Sequence, residues 1–113
     1  MKQNKFFAQS EDAHQVVRDI MALRNSYRYC QRILREDEAK LVKRDISVIK
    51  RCSYIVMHIE DVIESLSERD RFILTNEFIL NKTGKWYIEY YSDSAYYRNR
   101  MIAYRTFLVD LER

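Results

Sequence analysis

The scarcity of glycine and proline constrains this chain more than any other feature of its sequence. Its 113 residues include one Gly and no Pro. Left-handed turns, kinked loops and the hairpins of a β-sandwich depend on those two residues, and glycine-rich phosphate loops and nucleophile elbows need several glycines. The sequence therefore predicts an all-α protein and excludes Walker, Rossmann and glycine-framed hydrolase sites.

Two apolar stripes at coiled-coil spacing fill the first 66 residues. Ser10, followed by two acids, predicts the start of the first helix. The first stripe consists of Val16, Ile20, Leu23, Tyr27, Cys30 and Leu34, and the second of Leu41, Val48, Cys52, Ile55, Ile59, Val62 and Leu66, with Asp45 at one seam position. The polar segment 35–40 between them predicts a reversal and a long helical hairpin, whereas an unbroken helix would need a second copy in a coiled coil.

The cysteines give this hairpin a testable geometry. Cys30 and Cys52 have no Cys or His at ligand spacing, so we expect reduced core thiols and no metal site. A reversal near Asp37 would separate them by roughly 10 Å along the helix axis, which is too far for a disulfide.

Residues 67–113 read as a second region of shorter helices. Ser67 with Asp70 is typical of a capping box, and the helix that follows should reach about Leu80, with Gly84 as its terminator. Ser92 should cap a last helix that extends to about Leu111. We expect Trp86 to be a core anchor. We expect the tyrosines of this half to lie at the rim with their hydroxyls in water or on phosphates, namely Tyr87, Tyr90, Tyr91, Tyr96, Tyr97 and Tyr104.

The predicted order of elements after residue 66 is a helix, a short helix, a serine-rich turn and an arginine-rich helix. This order is typical of a helix-turn-helix. Residues 67–107 resemble region four of bacterial sigma factors and, more closely, phage late transcriptional activators of the ArpU and RinA kind. The resemblance is carried by segment 66–71 (Leu-Ser-Glu-Arg-Asp-Arg), Trp86 with Tyr90 and Tyr91, segment 92–98 (Ser-Asp-Ser-Ala-Tyr-Tyr-Arg), and Ala103 with Phe107.

This resemblance implies that the last helix, starting near Ser92, reads bases in the DNA major groove. The implied base-reading residues are Ser94, Tyr97, Arg98, Arg100 and Met101, although Arg100 stands where the sigma pattern usually has a buried apolar residue. Arg98 has the geometry to grip guanine, and Lys82, Lys85 and Arg105 would hold phosphates. The acid at position 93 suits the first turn of a helix.

Other charged and polar residues give weaker signals. The segment 15–35 contains one acid and five arginines, namely Arg18, Arg24, Arg28, Arg32 and Arg35. These arginines could bind phosphate or could simply form a solvated helix face. The two histidines, His14 and His58, and the acidic pair Glu60 and Glu64 form no catalytic constellation. We therefore expect no enzyme activity, no cofactor and no metal.

These observations favour a DNA-binding transcription regulator. Its partners would be double-stranded DNA, a second copy of the chain and RNA polymerase, with residues 1–66 as the oligomerisation or partner-binding region. Without a signal peptide or an apolar span, we expect a cytoplasmic protein that does not enter a membrane. The alternative is a non-enzymatic helical adaptor whose hairpin binds other proteins.

Overall fold

The computed structural model describes residues 12–113, and that range holds helices and turns but no strand, which confirms the all-α class. Helix α1 covers Ala13–Glu38, α2 covers Ile46–Ser65, and α3 covers Glu68–Leu74 and continues as a π-helical turn, Thr75–Ile79. Helix α4 covers Asp93–Leu111. The predicted cap at Ser10 lies outside the described residues. No helix within 12–113 is long and apolar enough to cross a bilayer.

Helices α1 and α2 pack side by side in opposite directions, and the chain reverses later than the sequence suggested. The polar segment 35–40 stays helical as far as Glu38, and the reversal occupies residues 39–45. Lys40 takes a left-handed conformation there, with φ of 59°. Asp45 is not a seam residue, because its side chain caps α2 by accepting from the Ser47 amide at 3.3 Å.

The later reversal brings the two cysteines together. Cys30 and Cys52 are buried in one small cluster with Ile33, and both thiols are free. The predicted separation of roughly 10 Å is therefore wrong, because moving the turn past Glu38 shifts the register of α2 against α1. Burial raises the pKa of the Cys30 thiol to about 12.

The main core draws on all four helices. Val16, Ile20 and Tyr27 of α1 and Ile59 of α2 pack in the same cluster as apolar side chains that follow residue 66, namely Ile73, Leu74, Phe78, Ala103, Tyr104, Phe107 and Leu108. This cluster contains residues from both predicted regions, 1–66 and 67–113. The division of the chain into those two regions stays a prediction.

Helix α3 begins where the sequence predicts and ends differently. Ser67 Oγ accepts from the Asp70 amide at 3.4 Å, while the Asp70 carboxyl pairs with Arg69 Nε at 3.3 Å rather than closing a capping box. The π-helical turn closes with the Leu80 amide on the Thr75 carbonyl at 3.0 Å. Asn81, with φ of 55°, then takes the left-handed position that we predicted for Gly84. Asn tolerates this conformation better than other residues with a Cβ, so no glycine is needed.

Candidate nucleic-acid interface

The start of α4 is open to solvent. Ser92 Oγ accepts from the Ala95 amide at 3.2 Å, which confirms it as the cap. Ser92, Asp93 and Ser94 are all exposed. The helix therefore presents its first turn, with free backbone N–H groups and the positive end of its dipole, on the surface.

Aromatic side chains hold this helix start in place. Tyr87 is buried and stacks on Tyr96 of α4, with ring centroids 3.7 Å apart. The Trp86 ring stands at 87° to both rings and packs against the main core, as expected of an anchor. The segment 86–90 is a turn rather than a short helix, closed by the Tyr91 amide on the Tyr87 carbonyl at 2.9 Å.

Asp93 connects the turn to the first residue of α4. Its carboxylate accepts from the Tyr87 hydroxyl at 2.8 Å and pairs with Lys85 Nζ at 3.1 Å. Those two hydrogen bonds hold the pKa of Asp93 below its ordinary value. The carboxylate thus has partners within the protein and lies in the first turn of α4, where the sequence predicted that an acid would stabilise the helix.

A buried acid, Glu77, connects α4 to the π-helical turn. Glu77 is 4% exposed, and its carboxyl group accepts from the hydroxyls of Tyr96 and Tyr104 and from Trp86 Nε1 at 3.2 Å. Burial, with Glu77 beside them, raises the pKa of both tyrosines above the ordinary value. Sequence reasoning missed this network, although an acid between Leu74 and Phe78 in an apolar stripe was a signal.

The tyrosine hydroxyls are correspondingly engaged inside the protein. The expectation that they face water or phosphate is wrong for Tyr87, Tyr96 and Tyr104. In the other half of the chain, the Tyr27 hydroxyl likewise donates to Glu60 Oε2, at 2.6 Å. The aromatic content of this half of the chain therefore serves the core and the positioning of α4 more than any external ligand.

Three of the predicted base-reading residues lie together on the exposed start of α4. Ser94, Tyr97 and Arg98 are all exposed. Tyr97 is 51% exposed, and its ring contacts Tyr87 and Tyr96 edge-on and lies 4.9 Å from the Arg100 guanidinium. The Arg98 side chain makes no hydrogen bond or ion pair with any residue in 12–113.

The other two predicted base-reading residues are turned toward the protein. Arg100 is half-buried, with its guanidinium 4.9 to 5.7 Å from the ring centres of Tyr96, Tyr97 and Tyr104. Its Nε is buried with no acceptor among the described atoms. Met101 is half-buried against the main core. The inward position of Arg100 matches the buried position of the sigma pattern, with cation–π contacts in place of an apolar side chain.

The predicted phosphate-binding residues occupy two places. Lys82 and Lys85 are exposed in the loop before α4, where the Lys82 amide donates to the Asn76 carbonyl at 3.0 Å. Arg105 is half-buried about 18 Å along the axis from the start of α4, by the rise of 1.5 Å per residue. Lys85 Nζ lies 3.1 Å from Asp93 at the exposed helix start, whereas Arg105 lies further along α4.

The two histidines lie on different helices. His14 is exposed on α1, while His58 Nε2 lies 3.0 Å from the Leu111 carbonyl oxygen and its ring stacks on Tyr54. Within residues 12–113, no group of three or more His, Cys, Asp or Glu side chains is placed to hold a metal ion.

Comparison with known proteins gives one short similarity. The chain is 43% identical over 47 residues to Transcription factor TCP18 of Arabidopsis thaliana. That match covers 41% of this chain and 11% of the length of the relative. No protein family matches the sequence, and no solved structure matches it. The resemblance to sigma region four and to the phage activators therefore stays a prediction.

Proposed function

We propose that this chain is a DNA-binding transcription regulator and that the start of α4 enters the major groove of duplex DNA. The observation that carries the proposal is the open, capped start of α4, where Ser94, Tyr97 and Arg98 are exposed together. A helix presented in this way is how helix-turn-helix proteins read base edges. The short similarity to a plant protein named as a transcription factor supports the same class of function.

Each exposed residue has a role in this proposal. Arg98 is unpaired and long enough to bind guanine O6 and N7 in bidentate fashion, while Ser94 and Tyr97 contact neighbouring bases. Lys82 and Lys85 bind phosphates next to the groove, with Lys85 exchanging its exposed ion pair to Asp93 for a phosphate oxygen. Arg100 and Met101 support the helix from behind, and Arg105 contacts the backbone further along.

The finer form of the proposal is a regulator resembling sigma region four or the phage activators, acting in the cytoplasm with RNA polymerase and as a homodimer. The buried stripe of α1 is already covered by its own chain. The exposed apolar side chains at the reversal are Leu41 at 73%, Val42 at 42% and Ile46 at 64%, and they provide a surface for either partner. The solution mass of the protein, measured at a concentration that saturates DNA, tests the dimer. A mass equal to that of a single chain would contradict it.

Two single substitutions test base reading against phosphate binding. The probe is a fluorescent duplex selected by the wild-type protein from a random library, compared with the same duplex mutated at each position. Arg98→Ala should lower discrimination at one position by about 1 to 3 kcal/mol. Lys85→Ala should weaken binding to all duplexes alike. Discrimination that is unchanged by Arg98→Ala would contradict the assignment of α4 as the reading helix.

A helical adaptor is the second candidate, and the apolar surface at the reversal favours it. Salt dependence separates the two functions, because phosphate contacts make duplex affinity fall steeply with salt. Absence of duplex binding in anisotropy titrations, even in dilute buffer, would exclude the regulator and leave the adaptor.

A further inference from the structure

Helix α1 carries a row of arginines on one face. Arg28, Arg32 and Arg35 follow one another at steps of four and three, which places them on one side of a helix. They line a concavity of about 480 Å³ together with polar side chains and one aromatic ring, namely Asn25, Tyr29, Gln31 and Asn81. We call Arg28, Arg32 and Arg35 the arginine face.

The charge of the arginine face is largely uncompensated. Arg28 and Arg35 are exposed, and their side chains make no hydrogen bond or ion pair within residues 12–113. Arg32 lies over the Tyr29 ring and is 3.8 Å from Glu36, but Glu36 is also bound by Arg44 at 2.9 Å. A guanidinium group that already pairs with a carboxylate has little to gain from an external anion. The guanidinium groups of Arg28 and Arg35 have no such partner and are available to bind an anion.

The arginine face is fixed relative to the loop before α4. Arg24, one turn before Arg28, donates from Nη2 to Asn81 Oδ1 at 3.0 Å and to the Lys82 carbonyl at 3.1 Å. The same loop carries Lys85, which pairs with Asp93 at the start of α4. Positive side chains therefore extend from Arg35, along α1 and over the loop, to the helix that we propose enters the groove.

We propose that the arginine face binds the phosphate backbone of the duplex beside the segment read by α4. This inference rests on the proposed function and adds a second contact surface to it. Arg28 and Arg35 are about 10 Å apart along the helix axis, a length over which one DNA strand presents roughly three phosphates. Guanidinium groups bind phosphate oxygens in bidentate fashion and carry no base preference.

The test compares two double variants that remove the same charge. In Arg28→Gln/Arg35→Gln the arginine face loses its two unpaired members, and in Lys43→Gln/Lys50→Gln two exposed lysines elsewhere on the chain are lost. Affinity for a labelled random-sequence duplex is measured by anisotropy across a series of KCl concentrations. Each lost phosphate contact should reduce the slope of log affinity against log salt by about 0.9.

We expect Arg28→Gln/Arg35→Gln to reduce the slope by about 1.8 and Lys43→Gln/Lys50→Gln to leave it within about 0.3 of the wild type. Circular dichroism of both variants checks that the helices are intact. Equal slopes for the two variants, with the wild type binding normally, would overturn the arginine face and leave α4 reading intact. A wild type that binds no duplex would overturn both the proposed function and this extension of it.

Base discrimination gives a second, independent readout on the selected duplex. Arg28→Gln/Arg35→Gln should keep the wild-type preference among mutated duplexes, because phosphate contacts do not read sequence. Loss of that preference in the double variant would overturn the assignment of these arginines to the backbone.

Discussion

At the scale of single residues, a few buried polar side chains decide how α4 is held. Burying an acid is costly unless its oxygens accept hydrogen bonds, and the Glu77 oxygens accept three, from Tyr96, Tyr104 and Trp86. All three donors lie in or just before α4. The fold thus uses one acid to fix the direction of the helix that carries the candidate site.

Replacing Glu77 should destabilise the protein strongly. Glu77→Ala leaves the two buried hydroxyls of Tyr96 and Tyr104 and the half-buried Trp86 Nε1 without their acceptor and opens a cavity. We therefore expect a loss of about 2 to 4 kcal/mol in the free energy of unfolding. Glu77→Gln keeps one carbonyl oxygen and should cost less. Urea unfolding followed by circular dichroism measures both.

The control for Glu77 is Asp61→Ala, because Asp61 is an exposed acid on α2 whose side chain makes no hydrogen bond or ion pair with any residue in 12–113. We expect its free energy of unfolding to change by at most about 0.5 kcal/mol. A similar small loss in Glu77→Ala would contradict a structural role for the buried network.

The buried tyrosines predict a loss of stability in alkali. Burial raises the pKa of Tyr27, Tyr87, Tyr96 and Tyr104 above the ordinary value of 10.0. The unfolded chain releases these protons near pH 10, while the folded chain retains them, so the stability they provide is complete below pH 10 and declines as the pH rises above it. We expect their phenolate absorbance to appear together with the loss of helical circular dichroism. Full phenolate absorbance in a chain that is still helical would contradict this coupling.

At the scale of elements, helix ends are set by caps and by left-handed residues. Ser67, Asp45 and Ser92 each satisfy a backbone amide at the start of a helix. With one glycine in the chain, the left-handed positions after α1 and after the π-helical turn fall to Lys40 and Asn81. A lysine in that conformation is strained, because its Cβ approaches the backbone.

Lys40→Gly should therefore stabilise the protein. Lys40 is exposed, so glycine removes the strain at φ of 59° without removing packing. We expect a gain of about 0.5 to 1 kcal/mol in the free energy of unfolding, measured in urea. Ala39→Gly, at the neighbouring residue with φ of −81°, is the control and should lower stability by a similar amount. A loss in both variants would show that the left-handed turn is not strained.

At the scale of the whole molecule, one core joins the two halves of the chain. Tyr27 of α1 packs against Phe78, and Phe78 against Phe107 of α4, with ring centroids 6.1 and 5.3 Å apart. The helix that we propose reads DNA is thus packed through a shared interior on the helix that carries the arginine face. This arrangement keeps both proposed contact surfaces in a fixed relation to each other.

The shared core predicts that residues 67–113 do not fold alone. Without α1 and α2, apolar side chains such as Ile73 and Phe107 lose their buried neighbours. We expect the fragment to show little helical circular dichroism and no cooperative melting, while the full chain unfolds in one transition by both circular dichroism and Trp86 fluorescence. A helical, cooperatively melting fragment would establish 67–113 as a domain of its own.

The sequence by itself determined the features that depend on near neighbours. The single glycine and the absence of proline predicted the all-α class. Ser67 and Ser92 were correctly predicted as caps, because a cap bonds to an amide three residues away. The placement of Ser94, Tyr97 and Arg98 on one face of α4 follows from the same local register once the helix start is fixed.

Only the tertiary structure decided the features that join distant residues. Glu77 meets Tyr104 across 27 positions, and Arg24 meets Asn81 across 57. The true reversal at 39–45, the meeting of Cys30 with Cys52 and the inward turn of Arg100 also depend on which helices pack together. Local spacing gives the face of a helix, but the burial of that face is set by neighbours that are remote in sequence.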